Sequence, residues 1–190
     1  MKIYFSGSRF FKKDYEKRYD EIVDVLRKGY GVVYDSSASV AVPMGYKMPE
    51  EDKKELYKKM EKGMDKSDIC VFEASYPSTI HIGHEITLAS TKGKPSIVFY
   101  LKDREPILFK GLDNKKIIWV EYGEEEKVKQ KVIDAVEEAK KLIDVRFNFF
   151  VSPKILVYLD WIAKTKRIPR SVFLRNLIER EMKKDKGFRE

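Results

Sequence analysis

The chain has 190 residues, 43% of them hydrophobic and 37% charged, and a formal net charge of +8. That is enough apolar material for a packed core, and the two signs of charge are too evenly mixed for wholesale disorder. No apolar run approaches the ~20 residues of a membrane span, Met1-Lys2 leads straight into a strand-like run rather than a secretory signal, and Cys70 has no second cysteine to pair with; the expectation is a cytoplasmic protein without a membrane partner.

The first predicted strand covers residues 2–6, Lys2-Ile3-Tyr4-Phe5-Ser6, and runs into Gly7 and Ser8. A glycine between hydroxyls lets backbone amides approach a ligand, so Ser6, Gly7, Ser8 and Arg9 form a candidate anion cradle ahead of a helix at 13–28. A strand at 31–34 and a helix at 49–66 follow. The third strand, 68–74, contains Cys70 inside an apolar run, which reads as a small buried hydrophobe. Pro77-Ser78 then leads to Gly83-His84-Glu85 at the start of a helix at 83–91, where a carboxylate would face the cleft and be stabilised by the helix N-terminus. Strands at 95–100 and 116–120 and a helix at 124–143 complete the alternation. Strand, helix, strand in this order implies right-handed crossovers and a five-stranded parallel doubly wound α/β sheet, flavodoxin-like or Rossmann-like, with ligands at the carboxyl ends of the strands.

At residue 145 the pattern changes. Residues 1–144 hold 27 Lys and Arg against 26 Asp and Glu, whereas 145–190 hold 12 against 5, so seven of the eight excess charges lie in the tail. A concentrated basic block on a folded unit is the electrostatic footprint of nucleic-acid binding. In 145–151, Arg146, Asn148 and Phe150 alternate with Phe147, Phe149 and Val151, which predicts a strand with one apolar face. Ser152-Pro153 opens one helix with the hydroxyl as cap, and Ser171 is placed to cap a second after Arg167-Ile168-Pro169-Arg170. A lone strand before two short helices cannot bury that face within its own chain, so a second copy is expected, giving a homodimer or higher even oligomer.

The ordered set in 1–144, a strand reading KIYFSGS, a third strand beginning with Asp68, then Pro77-Ser78 and Gly83-His84-Glu85, resembles the nucleoside 2-deoxyribosyltransferase superfamily, especially its 2′-deoxynucleoside 5′-phosphate N-hydrolase branch. The resemblance implies Glu85 as nucleophile with Tyr4 beside it in the catalytic set, Ser8 and Ser78 as hydroxyls that help hold a 5′-phosphate, and Ser6, Gly7, Arg9 and His84 around the substrate, a deoxynucleoside or its 5′-monophosphate. It also implies an aspartate on the helix before the third strand to assist the leaving base. Two turns before Asp68 stands Met60, with Glu61 adjacent and Asp65 one turn later. Either His81, His84 or Glu61 assists the base, or the pocket binds a nucleotide without cleaving it. Two histidines with no cysteine pair make no metal site, and no cofactor is expected.

Residues 145–184 resemble the ribbon-helix-helix family, in which two chains pair their strands and the ribbon enters the DNA major groove. The resemblance implies Arg146, Asn148 and Phe150 as the face that meets base edges, and Ser171, with Arg167 and Arg170 nearby, as the phosphate contacts. The sequence thus predicts a deoxyribosyltransferase-like domain over 1–144 and a dimerisation and DNA-binding module over 145–190. The alternative is a nucleotide-sensing, DNA-binding regulator without catalysis.

Overall fold

The computed structural model describes residues 1–7, 16–36, 47–123, 128–144 and 148–187. The chain divides into two compact units, Met1–Asp144 and Val145–Glu190.

In the first unit five strands, β1 (Lys2–Gly7), β2 (Gly31–Asp35), β3 (Ile69–Glu73), β4 (Ser96–Leu101) and β5 (Ile117–Tyr122), pair in parallel in the order β2-β1-β3-β4-β5. This is the expected five-stranded α/β arrangement. Every residue of β3 and β4 is buried, as parallel strands covered on both faces must be.

The period of two along each strand sorts the side chains between two cores. Ile3, Phe5, Ile69, Val71, Ile97 and Phe99 join a cluster built with Tyr19, Ile22 and Leu26 of α1 (Glu16–Gly29) and Val128, Val132 and Val136 of α5 (Val128–Lys140). Tyr4, Cys70, Phe72 and Val98 point the other way, to Met60 and Met64 of α2 (Glu50–Lys66) and Ile82, Ile86 and Ala89 of α3 (Ile80–Thr91). Cys70 is buried in this second cluster, and burial pushes its thiol up to about 12. A single turn of helix, α4 (Ile107–Lys110), lies between β4 and β5 and is too short to show a periodic signal.

One boundary matters for function. The helix expected to start at Gly83 starts at Ile80, with Thr79 in extended backbone as its N-cap. Glu85 is therefore in the second turn rather than at the helix opening. The helix-dipole effect falls off within the first turn, so it is not what holds this carboxylate.

In the second unit, α6 (Pro153–Lys166) opens with Ser152 accepting a hydrogen bond from the Ile155 amide at 3.5 Å and with Pro153 in its first turn, as the sequence predicts. Helix α7 (Arg170–Met182) differs: Pro169 occupies the N-cap, and Ser171 lies inside the helix with no capping bond. Proline's fixed φ suits that cap position, so the helix begins two residues before a Ser171 cap would allow. Residues 148–151 carry no regular secondary structure within this single chain.

Phe99 is fully buried in the first core, so Phe99→Ala is expected to remove about 3–5 kcal/mol of stability, seen as a lowered urea midpoint by circular dichroism.

Candidate functional site

The site is built where β1 and β3 lie beneath α2 and α3. Strand alternation puts Tyr4 and Ser6 on the same face of β1. Both are buried. On α3, the i, i+3, i+4 spacing puts Glu85 on the stripe that buries Ile82, Ile86 and Ala89, so a carboxylate is carried into an apolar interface. Only 7% of its surface is exposed. The Tyr4 hydroxyl donates to Glu85 Oε2 at 2.8 Å across 81 positions of sequence.

Burial pushes the Glu85 carboxyl above its ordinary value; hydrogen bonds from Ser6 and Tyr4 and the positive fields of His81 and His84 pull the other way. Burial and then the Glu85 charge hold the Tyr4 phenol well above its usual value, so it stays a donor. Tyr34, paired with Tyr4 in register between β2 and β1, lays its ring flat on Tyr4 with centroids 4.6 Å apart and 5° between planes. Burial, and after it Glu85 and Asp35, raise the Tyr34 phenol to about 12.

Gly7 takes a role the sequence did not suggest. A Cβ there would sit 2.6 Å from the Tyr19 ring, and its amide donates to the Ser36 hydroxyl at 3.0 Å. Its small size is thus required by the packing of α1 against the strand end, whatever a ligand needs. Ser8 and Arg9 lie outside the described residues.

Ser78 and His84 are exposed. They line a cavity of about 940 Å³ with Ala74, Ile82, Gly83 and Phe109, and neither Tyr4, Ser6 nor Glu85 borders it. The Phe109 ring lies against Gly83, where a Cβ would approach Phe109 Cζ to 2.3 Å. The Gly-His-Glu run thus needs glycine to admit the cavity wall. Across from α3, the Tyr57 hydroxyl of α2 stands 3.4 Å from His84 Nε2, the rings 5.9 Å apart and tilted 39°.

Of the groups weighed for assisting a leaving base, Glu61 is turned to the surface, pairing with Lys92 at 3.5 Å, and Asp65 pairs with the same lysine at 2.7 Å. Met60 is buried against the cluster that contains Tyr4. Sequence reading missed Tyr34 and Tyr57. Tyr34 ends a predicted strand, where ligand-facing residues concentrate. Tyr57 is one helical turn before Met60, and only the packing of α2 on α3 shows what it meets. A third group was also missed: fully buried Glu73 accepts from the Ser75 amide at 3.2 Å, the Ser75 hydroxyl and the Tyr122 hydroxyl at 3.0 Å, tying the ends of β3 and β5 beside the loop that carries Ser78. Among the described residues no cluster of three or more His, Cys, Asp or Glu is placed to hold a metal ion.

In the second unit Asn148 and Phe150 are exposed, and Arg146 lies outside the described residues. Arg167 takes the left-handed conformation (φ 54°, ψ 36°) that ends α6, and Arg170 pairs with Asp160. No described helix is long and apolar enough to cross a membrane.

No protein-family model matches the chain, and no curated protein does. Among solved structures it is similar to the CMP N-glycosidase BcmB of Clostridium botulinum, at 17% identity over 72% of this chain and 99% of that one, with a TM-score of 0.49. It is similar also to a 2-deoxyribosyltransferase of Bacillus psychrosaccharolyticus, at 23% identity over 53% and 72% of the two chains (TM-score 0.41), and to a conserved protein of Enterococcus faecalis V583, at 13% over 75% and 96% (TM-score 0.40). The fold class stands on the strand order and register of the sheet itself.

The raised carboxyl of Glu85 fixes the sign of a pH effect. A group whose folded-state pKa lies above its unfolded value adds stability below the unfolded value, and that stability is lost as pH rises through the folded one. Glu85→Gln removes this dependence. Relative to the unmodified protein, the glutamine variant is expected to be more stable at pH 8 than it is at pH 4, measured by urea unfolding at both; an unchanged difference would show that Glu85 ionises without cost.

Proposed function

We propose that the first unit is an enzyme that cleaves the N-glycosidic bond of a deoxynucleoside or deoxynucleoside 5′-monophosphate, with Glu85 as nucleophile. The observation that carries this reading is the buried Glu85 side chain of α3, whose carboxylate accepts from the Tyr4 hydroxyl of β1. A desolvated carboxylate is a stronger nucleophile toward carbon than a hydrated one, and a donor on one oxygen fixes its plane without neutralising it. In this scheme a Glu85 oxygen bonds to C1′ as the base departs, giving a sugar ester that water hydrolyses or a second base intercepts. Tyr4 and Ser6 donate to the carboxylate and favour its ionised form against burial, and Ser78 and His84 meet the substrate from the adjoining cavity; by the sequence resemblance, Ser8 helps hold the 5′-phosphate.

One observation favours a second reading, that of a nucleotide sensor without catalysis: buried Met60 stands where the resemblance expects an acid. Incubation with each of the four deoxynucleoside 5′-monophosphates, followed by chromatography for free base, decides between them. The enzyme reading expects base release by the unmodified protein and none above the uncatalysed rate for Glu85→Gln, whose circular dichroism should be unchanged. Full activity in that variant would eliminate Glu85 as nucleophile.

For the second unit we propose dimerisation through a ribbon of residues 145–151 and contact with DNA, through Arg146, Asn148 and Phe150 at base edges and Arg167, Arg170 and Ser171 at phosphates. Its support is unsatisfied apolar surface: α7 has no buried residue, α6 buries only Leu159 and Ile162, and Phe150, Val157 and Trp161 are exposed. A chain ending at Asp144 is expected to sediment as a smaller species than the full chain. Equal oligomeric states would remove the basis for the paired ribbon.

A further inference from the structure

Breaking the bond between C1′ and a base leaves an electron pair on a poor leaving group, so a proton must reach the base. Among the described residues no second carboxylate faces Glu85: the groups acting on it are Ser6, Tyr4, His81 and His84, while Glu61 and Asp65 turn to Lys92. Of the two histidines, only His84 lines the cavity with Ser78. It is also the one whose ring is held from across the cleft, by the Tyr57 hydroxyl at 3.4 Å. Tyr57 stands one turn before Met60, so its hydroxyl enters from the helix whose acid is missing.

Building on the glycosidic reading above, we propose that His84 is the catalytic acid that protonates the departing base and that Tyr57 is its positioning residue, together replacing the absent carboxylate. In the first step a Glu85 oxygen forms a bond to C1′, the C1′–N bond breaks with its electron pair going to the base, and the base takes the proton from Nδ1 of the doubly protonated His84 ring. His84 is left neutral, its Nε2–H donating to the Tyr57 oxygen. In the second step water adds to C1′, the C1′–O ester bond breaks with its pair returning to Glu85, and Nδ1 takes the proton that the water sheds. Each cycle restores both groups.

The test uses the full chain and two substrate pairs, each an ordinary base and one that leaves with less help from a proton. These are 2′-deoxyguanosine 5′-monophosphate with its N7-methyl derivative, and 2′-deoxyuridine 5′-monophosphate with its 5-fluoro derivative. His84→Gln is expected to lower kcat on the ordinary member of the accepted pair by about 100-fold, the scale of general acid catalysis, and on the activated member by far less. Tyr57→Phe should show the same selectivity at smaller amplitude. Because both side chains are exposed, neither change should unfold the protein. Equal slowing of both members, or undiminished turnover of the ordinary one by His84→Gln, overturns the assignment while leaving Glu85 in place. Release of base from none of the four by the unmodified protein overturns the glycosidic reading and this assignment with it.

Discussion

A carboxylate on the apolar stripe of a helix is costly to bury unless something donates to it. In this protein Glu85 shares its stripe with Ile82, Ile86 and Ala89, and the donor comes from the first strand, through the Tyr4 hydroxyl. The rest of the site follows from that bond. Tyr4 can reach Glu85 only from the α2 and α3 side of the sheet, which its place between Ile3 and Phe5 dictates. Its ring is kept in place by Tyr34, and Gly63 lets α2 close over Tyr34, since a Cβ at that glycine would meet Tyr34 Cβ at 2.7 Å. A hydrogen bond of this kind stabilises modestly when made, but its loss would leave the buried carboxyl with Ser6 as its remaining donor, and an unsatisfied buried group costs roughly 1–3 kcal/mol.

Burial and hydrogen bonding act on Glu85 in opposite directions, and the balance is chemically useful. Desolvation alone would favour a neutral, unreactive carboxyl; donation from Tyr4 and Ser6 and the fields of His81 and His84 favour the anion. The result is a carboxylate that can ionise without being surrounded by water. The phenols beside it behave in the complementary way, since burial and the neighbouring negative charge keep Tyr4 and Tyr34 protonated as donors.

The two units solve the problem of apolar surface differently. In the first, a five-stranded sheet carries helices on both faces and sends alternate residues to two cores. The second has two helices of 14 and 13 residues with Ile155, Val157, Tyr158, Trp161 and Ile178 still exposed. A helix pair of that size has little interior to offer, and the internal contact of Tyr158 with Phe173, centroids 6.2 Å apart, covers only part of its apolar surface.

The sequence by itself determined the alternation of strands and helices, the parallel sheet, the burial of Cys70 and the Ser152-Pro153 helix start, because each depends on local periodicity or on a single residue's backbone preference. It also singled out Glu85, by its place after the third strand and by resemblance, and Tyr4 by resemblance alone. It misplaced the start of α3 by three residues, since Ile80-His81-Ile82 has no helical period of its own, and it gave Ser171 a cap that proline takes instead. What the tertiary structure alone decided is who meets whom. The stack of Tyr34 on Tyr4, the reach of Tyr57 to His84, the diversion of Glu61 to Lys92 and the Glu73 network arise between elements far apart in the chain. Such contacts are set by how sheet and helices pack, and a packing distance leaves no periodic trace in the residues that happen to make it.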